Sequence, residues 1–377
     1  MDTTTGTRDD TGSPTAVETV RWVSARPGGL VIERGERPRP GPGQARVRSV
    51  LVGICGSDLH AVAGHHPFVP LPYRPGHEVV GVVEELGGDV GTAVSAGAAG
   101  RFGPTRVRVG DRVVIEPTLN CGDCKQCRRG VVNLCERLDF FGCGHSQGGM
   151  AEQFVVRTDR LHVVPPGMSD LQAALVEPLS TPVHAVRLAA GAGAEEEADL
   201  SGSSVVVLGA GTIGLLVLAA ARWAGARDVV VTDVLPAKRE RAARLGAGTV
   251  LDAAAPDVVD RVRDAVGESA DVIFDCVGVQ STVAAALRMA LKGGTVVVVG
   301  VPEAPVTLDL AVLQDQQVRL QGSATYLGVD YATSMWMIEH GAVRPEDLIT
   351  LVVSLDDVEA GFGAARSGDH VKVLIRP

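Results

Sequence analysis

The stretch "VVVLGAGTIGLLVLAAARWAG", residues 205–225, constrains this chain more than any other. Four apolar residues, a glycine turn and a long apolar run read as a strand, a tight turn and a helix. A strand that short and uniformly apolar is stable only when both faces of its sheet are covered. The pattern recurs. "DVVVTD", "DVIFDCVG" and "TVVVVG" alternate with the helical runs "AKRERAARLGA" and "TVAAALRMALKGG". Alternation of this kind predicts an α/β fold with a doubly wound parallel sheet.

Gly209, Gly211 and Gly214 stand in G-x-G-x-x-G, directly after a strand and opening a helix. In that context the first glycine permits the turn, the second lets a pyrophosphate approach the backbone, and the third lets helix and sheet pack closely. The helix start offers unpaired N–H groups to the phosphates. Asp233 ends the next strand, where a carboxylate accepts ribose hydroxyls and repels a 2′-phosphate; NAD is therefore expected over NADP. Lys238 follows within reach of the same ribose. Thr212, Ile213, Val277 and Val301 complete the expected coenzyme contacts.

The preceding part of the chain differs. "ARVRSVLV", "EVVGVVEEL" and "DRVVIEP" are short β-branched runs broken by Gly and Pro, which predicts a β-rich domain. Residues 1–18 read as a disordered tail and 87–109 as an inserted surface loop. The expected division is a catalytic domain over 19–180 with a lobe at 116–140, a dinucleotide domain over 181–322, and a return to the first domain over 323–377.

Within the lobe, "CGDCKQCRRGVVNLC" places Cys121, Cys124, Cys127 and Cys135 in C-x2-C-x2-C-x7-C. The N-terminus lacks the order of a signal peptide and no apolar run spans a bilayer, so a cytoplasmic location and reduced thiols are expected. Four thiolates suit tetrahedral zinc with no open position, a structural site; an iron–sulfur cluster is the alternative. A nucleic-acid-binding ribbon and an anionic membrane partner both fit poorly with a formal charge of −10. The closed cage is expected to pin a lobe far from the chemistry.

A second set of donors is dispersed: Cys55, Ser57, Asp58 and His60 in "GICGSDLH", His77 and Glu78 in "RPGHEVVG", and Glu177 in "ALVEPLS". Each is ordinary alone. Together Cys, His and Glu form a mixed donor set that suits zinc with room for an exchangeable ligand.

"GICGSDLH", "PGHEVVG", the four-Cys loop, "GGMAEQFVV", "VEPLS", "GAGTIG" and "LKGGTVVVVG" occur in an order that resembles the zinc-containing medium-chain dehydrogenases, in their sorbitol, butanediol and threonine dehydrogenase branch. The resemblance runs from about Val20 to Pro377. It implies a GroES-like domain beside the dinucleotide domain, and two zinc ions per chain, one catalytic and one structural. It further implies hydride transfer between NAD and a secondary alcohol or ketone, such as a polyol, sugar, cyclitol or vicinal diol. Cys55 and His77 become catalytic zinc ligands, with Glu78 or Glu177 supplying the remaining contact. Ser57 and His60 become a proton relay, and Asp58 the carboxylate that orients His77. A homodimer or homotetramer is implied as well.

Two departures stand out: Gly56 brings no positive charge to the coenzyme phosphates, and the 87–109 loop is long. His65, His66, Phe68, Phe141 and His145 are candidates for the substrate pocket, while Cys143 and Cys276 are expected to pack. The alternatives are a relative that reduces aldehydes or performs a redox-neutral step, and a non-catalytic zinc and nucleotide sensor.

Overall fold

The computed structural model describes residues 18–88, 106–194 and 196–377. All but the last residue of the expected tail, and most of the expected inserted loop, lie outside them.

Six parallel strands form one sheet, in the spatial order Thr249–Asp252, Val229–Asp233, Val205–Leu208, Ala270–Asp275, Ala290–Val298, Arg319–Gly322. Chain order reverses between Val205–Leu208 and Ala270–Asp275, so a crevice opens at their carboxyl ends, where doubly wound sheets bind ligands. Strand Val205–Leu208 is buried along its whole length, and helix Thr212–Trp223 packs its Leu215–Leu218 run against the sheet.

Among the described residues the second sheet is largely antiparallel and has seven strands. Its central member, Gln44–Gly53, pairs with Glu78–Leu86, Gln153–Arg157 and Lys372–Arg376. Lys372–Arg376 lies beside residues more than three hundred positions earlier in the sequence, and Ile349–Ser354 pairs with it in parallel. Helix Val176–Ala189 runs through the division expected at residue 180 and is buried over most of its length. It packs into the core of the parallel sheet while presenting Glu177 from its first turn.

Among the described residues no helix is long and apolar enough to cross a membrane.

Candidate metal centres and coenzyme cleft

The glycine turn is shaped by close approach. Gly209 has φ +94°, and a Cβ there would meet Val277 Cγ2 at 2.6 Å; a Cβ on Gly214 would meet the Gly209 carbonyl oxygen at 1.8 Å. Around Gly211 nothing lies within 4 Å of that position, which leaves an open cradle at the start of the helix. Val277 and Val301 present exposed apolar side chains beyond the carboxyl ends of their strands. Ile213 is partly buried against the core. Thr212 spends its hydroxyl on the Val371 carbonyl, which joins the coenzyme helix to the neighbouring domain.

Asp233 is buried, and both of its oxygens are engaged: Oδ2 accepts the Ala210 N–H and Oδ1 the Leu235 N–H, each at 2.8 Å. Its carboxylate therefore braces the glycine turn from the adjacent strand. Lys238 lies half-buried in helix Pro236–Arg244, next to Arg239, whose guanidinium bonds the Asp233 and Val234 carbonyls and pairs with Asp252.

The four-Cys lobe is built from strand pair Thr118–Leu119 and Asp139–Phe140, helix Lys125–Arg128 and a short 3-10 turn at Val132–Leu134. The sulfurs of Cys121 and Cys127 lie 3.8 Å apart, Cys124 and Cys135 3.9 Å, and Cys121 and Cys135 3.4 Å. A tetrahedron with bonds of about 2.3 Å has edges of about 3.8 Å, so this set fits one zinc ion. Backbone N–H groups of Cys121, Cys127 and Arg137 point at the sulfurs, and the Cys127 N–H heads the causes that pull the Cys124 thiol down to about 6. Such donors favour thiolate, the form that binds metal.

The second centre gathers Cys55, His77 and Glu78, whose donor atoms all lie within 4.8 Å of one another. Cys55 caps helix Gly56–Val62 in extended conformation, at the end where the backbone favours negative charge. His77 and Glu78 sit where the chain enters strand Glu78–Leu86. A Cβ on Gly53 would strike Glu78 Oε2 at 1.8 Å, so that glycine makes the room this carboxylate occupies.

Asp58 is fully buried. Its Oδ2 accepts the Cys55 N–H at 3.1 Å and its Oδ1 the Tyr73 hydroxyl at 3.4 Å. His77 Nδ1 lies 3.8 Å from the same Oδ1 and has no closer polar partner, leaving Nε2 as the nitrogen available to a metal. Burial works against a charged His77 ring, but Asp58 and Cys55 outweigh it and hold the ring well above its ordinary value. Burial pushes the Glu177 carboxyl up to about 7. A half-buried thiol, a buried imidazole and a buried carboxylate, donors of sulfur, nitrogen and oxygen type, are a set that a zinc ion satisfies.

Glu177 stands outside the three-donor group. Its Oε1 instead accepts the Tyr326 hydroxyl. Glu78 makes a second bond set: Lys372 Nζ reaches both of its oxygens at 2.7 Å and the Ile54 carbonyl at 3.1 Å. Ser57 is half-buried in the first turn of helix Gly56–Val62, and His60, one turn on, is exposed.

The pocket candidates divide. His66 and Phe68 lie on an exposed loop, with Phe68 80 % exposed. Phe141, expected near substrate, is 0 % exposed and packs on Phe154 at a ring distance of 4.9 Å; it belongs to the core because its apolar ring is the larger gain there. His145 pairs with Asp139. Cys143 packs against the core of the first domain, where burial first of all pushes its thiol up to about 12, with the charges of His77, Asp58 and Cys55 acting after it.

The lobe is also nearer the chemistry than expected. Its Asn133 is buried and donates at 2.9 Å to the Ala324 carbonyl, two residues before Tyr326. The same amide faces His184, which with Arg187 holds Asp330.

Lys372, Tyr73 and Tyr326 escaped sequence reasoning. One clue existed: the chain has only three tyrosines, and all three, Tyr73, Tyr326 and Tyr331, are buried around these centres.

Comparison with known proteins extends this geometry. Residues 41–166 match the family model for an alcohol dehydrogenase GroES-like domain, and residues 212–339 that for a zinc-binding dehydrogenase. L-idonate 5-dehydrogenase of Vitis vinifera is 32% identical over 348 residues, covering 89% of each chain. The crystal structure of 2R,3R-butanediol dehydrogenase from Bacillus subtilis superposes with a TM-score of 0.81 at 29% identity, covering 95% of this chain and 99% of that one. A zinc-binding dehydrogenase from Sinorhizobium meliloti, solved with NADP, superposes with a TM-score of 0.83 at 30% identity, covering 96% and 100%.

Proposed function

This chain belongs to the zinc-containing medium-chain alcohol and polyol dehydrogenases, and from that premise we propose that it transfers hydride between NAD and a secondary alcohol whose neighbouring carbon carries a second polar group. The observation that carries the reading is the Cys55–His77–Glu78 donor group, set within 4.8 Å on the domain that also bonds the start of the coenzyme helix through Val371. The names of the relatives, which act on idonate and butanediol, support a polyol, sugar acid, sugar or vicinal diol as substrate class.

When bound, zinc held by Cys55, His77 and a glutamate supplies Lewis acidity at the substrate oxygen, and NAD supplies the hydride acceptor. The chain supplies position and a proton path. Asp58 faces His77 Nδ1 at 3.8 Å as its counter-charge, and Tyr73 and the Cys55 N–H fix Asp58 in turn. Ser57 and His60 are three residues apart on one helix, hence on one face. A proton leaving the alcohol oxygen is taken at Ser57 Oγ and passed toward His60, which meets solvent. Glu177, beside Tyr326, offers a polar contact for the second hydroxyl.

NAD is the coenzyme this reading prefers. A 2′-phosphate would meet Asp233, and the guanidinium of Arg239 is already committed to carbonyls and Asp252. A structural zinc on Cys121, Cys124, Cys127 and Cys135 completes two ions per chain.

NADH formation followed by absorbance against polyols, sugar acids, vicinal diols and simple primary alcohols tests the proposal. Turnover of at least one vicinal diol above the primary alcohols is expected; no turnover of any secondary alcohol would move the reading to a redox-neutral step.

A further inference from the structure

One contact spans the two domains and has no role in the reading above. His60, on helix Gly56–Val62 of the first domain, places Nδ1 2.5 Å from Oε1 of Glu303. Glu303 lies between strand Ala290–Val298 and helix Leu310–Asp315 of the dinucleotide domain, two residues beyond Val301 at the carboxyl edge of the parallel sheet.

We propose that Glu303 is a positioning residue for His60: it fixes the ring's tautomer and closes the outer end of the proton path from the coenzyme side. The proposal rests on the reading of His60 as the outer member of that path. An ionised carboxylate only accepts hydrogen bonds, so the nitrogen facing it must carry the proton. The neutral ring then presents Nε2 as its single acceptor, the arrangement a relay needs if His60 is to take a proton from the Ser57 side. Without the carboxylate both tautomers compete and the ring turns freely on an exposed helix end. The proton balance closes: one proton enters at Nε2, bulk water removes one from the imidazolium, and Glu303 ends as it began.

The surroundings bear on this. Glu303 faces His60 from the dinucleotide domain, and His66 faces it from the loop that follows the helix; burial first, and then His60 and His77, hold the His66 ring below its ordinary value. His60's own carbonyl accepts the His65 N–H, which ties that loop to the helix. The side chains of His60 and Glu303 are 46% and 54% exposed, so the bond is weak in water. A weak bond between domains can open and re-form as coenzyme enters and leaves. Glu303 rides on the segment that carries Val301, so the bond forms only while that segment is seated against helix Gly56–Val62.

The test uses the full-length protein and two readouts. In 15N imidazole NMR, with the His60 signal assigned by a His60→Asn variant, wild type should show a protonated, bonded Nδ1, and Glu303→Ala should show mixed tautomers. In steady-state kinetics, Glu303→Ala should lower kcat by about two- to fivefold, the scale of an exposed charged pair, with KM for NAD changed less than about twofold; Glu303→Asp should restore most of the loss. Unchanged His60 nitrogen shifts in Glu303→Ala would overturn the pairing whether or not any alcohol is oxidised. A kcat loss that Glu303→Asp fails to restore would overturn the positioning role. A tautomer change in Glu303→Ala, together with a wild-type protein that oxidises no alcohol, supports the pairing and counts against the dehydrogenase reading alone.

Discussion

Lys372 Nζ lies 2.7 Å from each carboxylate oxygen of Glu78, and both side chains are all but inaccessible to water. The two residues are 294 positions apart in sequence, so this bond joins the entrance of one strand to the last strand of the same sheet. Burial alone would drive the Lys372 ammonium to give up its proton, but Glu78 more than compensates and holds it above its ordinary value.

Lys372→Met should leave a buried carboxylate without its counter-charge. Loss of one partner of such a pair costs about 3–5 kcal/mol. A zinc ion at the same centre replaces part of that charge. Urea unfolding should therefore show the larger loss in protein stripped with a chelator and a smaller one in zinc-loaded protein. Equal losses in both would separate Glu78 from the metal.

The two metal centres should come apart by mutation. Metal analysis should give two zinc ions per chain, one for each donor group. Cys127→Ser should remove one zinc and lower the melting temperature. Cys55→Ser should abolish turnover while NAD still quenches tryptophan fluorescence with near wild-type affinity. A stable Cys127→Ser protein that keeps both ions would show that the four sulfurs hold no metal.

Asp233→Asn keeps an oxygen for the Ala210 or Leu235 N–H but removes the charge. The KM for NAD should rise several-fold and the KM for NADP should fall, a change of discrimination of about 1–2 kcal/mol. Parallel changes in both would remove Asp233 from coenzyme choice.

Acid should loosen the contact between helix Val176–Ala189 and helix Gly328–Glu339. Asp330 is buried, which raises its carboxyl, but hydrogen bonds from His184 and Arg187 prevail and hold it below its ordinary value. Its folded pKa is the depressed one. Its contribution is therefore complete above the unfolded value near 3.9 and is lost as pH falls through the folded value. Melting temperatures between pH 6 and 2.5 should fall less steeply in Asp330→Asn than in wild type, from a lower starting point.

Asn133→Ala should loosen Glu177, a side chain it never touches. It breaks the bond to Ala324 and leaves that carbonyl short of a donor, at about 1–3 kcal/mol if water does not replace it. Tyr326, two residues on, then holds Glu177 less firmly. The expected result is a lower kcat with the full zinc content retained; an unchanged kcat would restore the lobe to a remote structural part.

What the sequence disclosed was local. The glycine turn, the four cysteines and "GICGSDLH" each carry their chemistry in spacing that a short window contains, because one turn or one loop sets the geometry. Lys372 and Tyr326 were invisible for the opposite reason: their partners lie 294 and 149 residues away, and a lysine in "VKVLIRP" looks like any strand residue until the sheet is assembled. Phe141, open between pocket and packing in the sequence, packs in the core, because nearness in sequence to a motif says nothing about which side of a strand pair a ring occupies. The choice between Glu78 and Glu177 was open because both are acidic and both approach from helix or strand starts. Lys372 and Tyr326 now give each a distinct neighbour.

The strand Lys372–Arg376 leaves the ribosome only after every residue of the parallel sheet has emerged. The coenzyme domain can therefore collapse around its own apolar strands during synthesis, while the first domain waits with the Val52–Gly53 end of Gln44–Gly53 lacking one strand partner and Glu78 without its ammonium. The Cys55–His77–Glu78 group thus gains its buried ammonium late in synthesis, once every strand of the parallel sheet is already complete.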